Sequence, residues 1–197
     1  MTMIAASGNL FSVITTGDTP PLALRTLLGL PPRGEAHLEY SAETETQRNI
    51  WATRLDRAVL CAEKPVLLVA SGASCFAAAW WARLSPSDYV SRIAGALLFD
   101  PLERDDESEL RARFASPPIA LPFPSVVLGG RRTSGDAGQR TSALAEDWGS
   151  GLARFPGFAR RTGIQWRLAQ DVLTRATARI VERRMRVAEA LGVVLPR

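Results

Sequence analysis

Apolar residues gather into short continuous runs at 65–70 (PVLLVA), 93–99 (IAGALLF) and 125–129 (SVVLG). Continuous apolarity over so few residues predicts strands buried on both faces, as in a parallel sheet covered by helices. The run at 10–16 (LFSVITT) predicts another such strand, closed by Gly17. Residues 36–40 and 152–155 predict two shorter ones.

Helical patterns fill the spaces between them. Pro20 and Pro21 open a brief helical stretch that ends near Gly29, and 31–34 is a loop. Thr44-x-x-Gln47 has the form of a capping box. Behind it Trp51, Leu55, Ala58, Val59 and Ala62 recur at helical spacing. The small-residue turn Ser71-Gly72-Ala73-Ser74 leads into a helix from Cys75 to about Leu84. Residues 101–122 form a charged, proline-bearing connection with a helical turn at 108–114. Asp136-x-x-Gln139 is a second capping-box pattern, followed by an apolar face of Thr141, Leu144, Ala145 and Trp148, with Gly149 at C′. A long helix is predicted over 166–191. Its stripe includes Leu168, Val172, Leu173, Ala176, Ile180 and Val187, and Arg175, Arg179, Arg183, Arg184 and Arg186 lie off it.

Strands alternating with helices imply crossover connections. The predicted architecture is one three-layer α/β/α domain over 1–197, with a mainly parallel sheet of five or six strands. Ligands in such folds bind outside the carboxyl ends of the strands. The loops after Thr16, Ala70, Phe99, Gly129 and Phe155 are therefore the places for a site.

Composition narrows the chemistry. Of 197 residues, 46% are apolar and 22% charged, which is globular usage. No apolar run reaches the roughly 18 residues that cross a bilayer, and the N-terminus lacks the basic region of a signal peptide. Cys61 and Cys75 are too few for a disulfide framework, so a cytoplasmic setting is expected. The net charge of +4 is small and comes almost wholly from arginine, so nucleic acid is not an expected partner. No cofactor motif is present. The stretch Glu103, Asp105, Asp106, Glu107, Glu109, interleaved with Arg104, Arg111 and Arg113, matches no carboxylate metal loop and reads as a solvated lid or short helix. His37 is the single histidine. A Ser-His-Asp mechanism must use it or not exist.

The segment PVLLVASGASCFAAAWWA is a strand, a tight turn and a helix, the setting of a nucleophile elbow. It stands in order with IAGALL and with LPFPSVVLGG followed by ALAEDWG. On these pieces the chain resembles the small serine hydrolases of the retinoblastoma-binding protein 9 and YdeN type over about residues 10–165. The resemblance implies an α/β-hydrolase fold and a Ser-His-Asp triad. The family's elbow runs V-A-H-S-x-G-C, where this chain has Val69-Ala70-Ser71-Gly72-Ala73-Ser74-Cys75. Ser71 thus holds the family's histidine position, Gly72 its nucleophile position and Ser74 its second glycine position. Thr133 stands where the family's acid follows the 125–129 strand. Gly157-Phe158 stands where its Gly-His motif follows the last strand.

Gly72 cannot attack a carbonyl, Thr133 carries no charge to orient an imidazole, and Phe158 cannot accept a proton. The expectation is a hydrolase-fold protein that has lost its activity and serves as a binding or interaction module, with a protein partner or a second copy. Two alternatives stay open. One is an active esterase or amidase with a rearranged nucleophile taken from Ser71, Ser74 or Cys75. The other is an anion or nucleic-acid binding module, with a small anionic ligand among Gly17, Ser71, Gly72, Ala73, Arg131 and Arg132. Against the rearranged nucleophile, Ser71 and Ser74 read as partners of backbone donors at the turn and helix start, and Cys75 as a buried structural thiol. His37 is expected just before the second strand, away from the carboxyl ends, as a surface or loop-packing residue. Asp136 reads as an N-cap. Trp80, Trp81, Phe158 and Trp166 are placed as linings of a vacated pocket or an interface, or else as core.

Overall fold

The computed structural model describes residues 11–17, 35–102, 107–129 and 136–154. Six strands form one sheet: β1 (Ser12–Thr16), β2 (Ala36–Leu38), β3 (Val66–Ser71), β4 (Ile93–Phe99), β5 (Ser125–Gly129) and β6 (Gly151–Arg154). Their order is β2-β1-β3-β4-β5-β6, and each adjacent pair is parallel. The helices are α1 (Glu45–Cys61), α2 (Ser74–Leu84), α3 (Ser87–Val90), α4 (Glu107–Arg113) and α5 (Asp136–Asp147).

After β2 the chain always moves one way across the sheet. Right-handed crossovers then place α1, α2, α4 and α5 on a single face. The core agrees. Trp51, Leu55 and Val59 of α1, Leu110 of α4 and Leu144 of α5 join one cluster with Ile14, Leu38, Leu68, Leu98 and Val127. The alternating residues Val13, Leu67, Val69, Leu97 and Val126 point to the other face and are buried as well. Burial on both faces is why these strands read as unbroken apolar runs. The predicted helices over 20–29 and 166–191 lie outside the described residues.

Local signals explain most boundaries. Thr44 Oγ1 accepts the Gln47 N–H at 3.2 Å while Gln47 Oε1 accepts the Thr44 N–H at 2.9 Å, so the capping box starts α1. Gly149 adopts φ +63°, and the Ser150 N–H reaches back to the Ala145 carbonyl at 2.8 Å, which closes α5. The sequence reading also needs corrections. Asp136 is the first residue of α5 rather than its cap, where its charge suits the helix dipole. The single turn α3 was not predicted, since four residues carry no periodicity. Of the two placements left open for Trp81, the core one holds: it is 2% exposed, with Nε1 donating to Asp56 at 2.8 Å. Trp80 is half-buried.

Candidate functional site

All adjacent strands are parallel, so the six carboxyl strand ends share one edge of the sheet. The turn after β3 sits at its middle. Gly72 has φ +61°, the left-handed region that a side chain occupies only at a cost. Its N–H donates to the Phe99 carbonyl of β4 at 2.9 Å, and its carbonyl accepts the Cys75 N–H at 3.0 Å. These bonds fold the chain sharply from strand into α2. The result has the backbone form of an elbow, with a left-handed residue at the apex. Among the described residues, a Cβ built on Gly72 would meet nothing within 4 Å. Those residues leave room for a side chain at the apex, and Gly72 carries none.

The serines beside it are bonded into the turn. Ser74 is completely buried. Its Oγ accepts the Ser71 N–H at 3.0 Å, and its proton faces the carbonyls of Ser71 at 2.8 Å and Thr16 at 3.1 Å. It therefore ties β3 to β1 and to its own turn. The sequence reading assigned such serines partly to the start of the helix. Ala73 instead holds the N-cap of α2, with no side-chain cap. Ser71 is half-buried, with Oγ 3.5 Å from the Thr16 carbonyl. Gly17 packs against it so closely that a Cβ there would lie 2.1 Å from Ser71 Oγ. Gly17, Ser71, Gly72 and Ala73 are thus brought together between β1 and β3. Arg131, Arg132, Thr133 and Phe158 lie outside the described residues.

Cys75 is buried, with Sγ donating to the Phe99 carbonyl at 3.5 Å. Burial pushes its thiol pKa well up, and the nearby charge of Asp100 adds to the rise. A protonated, enclosed sulfur is a poor nucleophile. Asp100 itself follows β4 with φ +45°, another left-handed residue at the carboxyl edge.

His37 is corrected in place. It lies inside β2, in register with Thr15, one residue from the strand's carboxyl end. Its Nδ1 is 2.8 Å from Thr15 Oγ1. Ile14 and Leu38 join the helix-side core, so Thr15 and His37 point to the opposite face. Thr15 pairs in turn with Val69, which leaves His37 two strands across from β3 and two residues short of Ser71. That is roughly 12 Å between backbones by ordinary sheet spacings. No serine at the turn shares a proton with this imidazole.

A family model described as Serine hydrolase matches residues 33–159. This chain belongs to the serine hydrolase family. Two solved structures resemble this serine hydrolase family member. One is a YdeN-like hydrolase from Pectobacterium atrosepticum, with a TM-score of 0.59 and 15% identity, covering 87% of this chain and 96% of that one. The other is a hydrolase of the alpha/beta superfamily from Xanthomonas campestris pv. campestris, with a TM-score of 0.43 and 15% identity, covering 85% and 93%. A search of the curated proteins finds no match. At such identity the first likeness speaks for the fold, which is α/β-hydrolase. Within that family the elbow backbone is present here and its apex is glycine. Among the described residues no helix is long and apolar enough to cross a membrane.

Away from this edge, sequence reasoning missed a second feature. Arg83, Arg111 and Asp147 meet at the C-terminal ends of α2, α4 and α5. In the sequence Asp147 stands only as part of the ALAEDWG segment that carries the family resemblance. Nothing in the periodicity signals that three helix ends converge there.

Proposed function

We propose that this chain is a hydrolase-fold protein without Ser-His-Asp turnover, retained as a binding module for a protein partner or a second copy. One observation carries the reading: the elbow apex is Gly72, while the single imidazole of the chain, His37 on the edge strand β2, is bonded to Thr15 of β1. Acyl transfer by this route needs a nucleophile, a base within hydrogen-bond reach and an orienting acid. Gly72 supplies no nucleophile. Ser74 spends its hydroxyl on the backbone, and Cys75 stays protonated in the core. A site so reduced keeps at most backbone donors and binding effects.

Labelling with a fluorophosphonate probe tests this, with Ser71→Ala and Ser74→Ala as controls. No stoichiometric adduct is expected on the folded chain. A one-to-one adduct that disappears in either variant would establish a rearranged nucleophile and overturn the reading.

A further inference from the structure

We draw no further inference here: the strongest candidate, the apolar surface at the C-terminal end of α2 where Leu84 is half exposed and so is Ile119, whose carbonyl Arg83 holds, carries nothing because nothing in the structure shows what covers it.

Discussion

Gly17 and Ser71 touch backbone to side chain across β1 and β3: a Cβ on Gly17 would lie 2.1 Å from Ser71 Oγ and 2.9 Å from its carbonyl oxygen. Gly17 also has φ +125°, which side chains rarely adopt. The two glycines of this edge thus differ in kind. Gly17 is required by crowding as well as conformation, and Gly72, among the described residues, by conformation alone.

Gly17→Ala should cost about 3 kcal/mol or more, because overpacking adds to backbone strain. Urea denaturation of the variant beside the wild type measures it. A loss under about 1 kcal/mol would mean that the β1–β3 edge is looser than the geometry states.

Gly72→Ala should cost only about 1–2 kcal/mol, the cost of a left-handed residue that no described residue crowds. The ratio of the two losses, read in the same urea series, is the sharper check. Gly72→Ser should cost the same and still fail to turn over an activated ester, since no imidazole reaches the apex.

Ser74→Ala removes the acceptor of the Ser71 N–H inside a buried turn. An orphaned buried donor costs about 1–3 kcal/mol. Amide exchange should localise the loss, with the Ser71 N–H losing protection while the N–H groups in the middle of α1 keep theirs.

Cys75 makes stability depend on pH in a stated direction. Burial, helped by Asp100, raises its thiol pKa in the folded chain. Above the ordinary thiol value of about 8.5 the unfolded chain releases this proton and the folded chain keeps it. Stability therefore falls as pH rises from there to the raised native value, by up to about 1.4 kcal/mol per unit, and is flat below. Urea midpoints from pH 7 to 10 should show that slope in the wild type and lose it in Cys75→Ala. Equal slopes in both would sink the assignment.

The order and kind of the central elements followed from sequence because each signal is local. Strands covered on both faces must be apolar throughout, so 93–99 and 125–129 read directly as β4 and β5. The capping box at Thr44 and the glycine after α5 satisfy backbone groups within a few residues, and such bonds leave a readable pattern. Gly72 at the nucleophile position was equally legible, since identity alone removes a side chain.

Other features needed the folded chain. Trp81 and Trp80 are neighbours of the same type, yet one is core and the other half-buried, because only the packing of α1 on α2 decides which side of a helix is covered. His37 could be counted from sequence, but its distance from the elbow is set by strand order, and its partner by the register of β1 on β2. The Arg83, Arg111 and Asp147 cluster joins residues far apart in the chain, and no local pattern encodes where separate helices end. Sequence by itself determined which groups exist and which elements form. Tertiary structure decided which groups meet, because crossovers and register convert separations of tens of residues into contacts of a few ångströms.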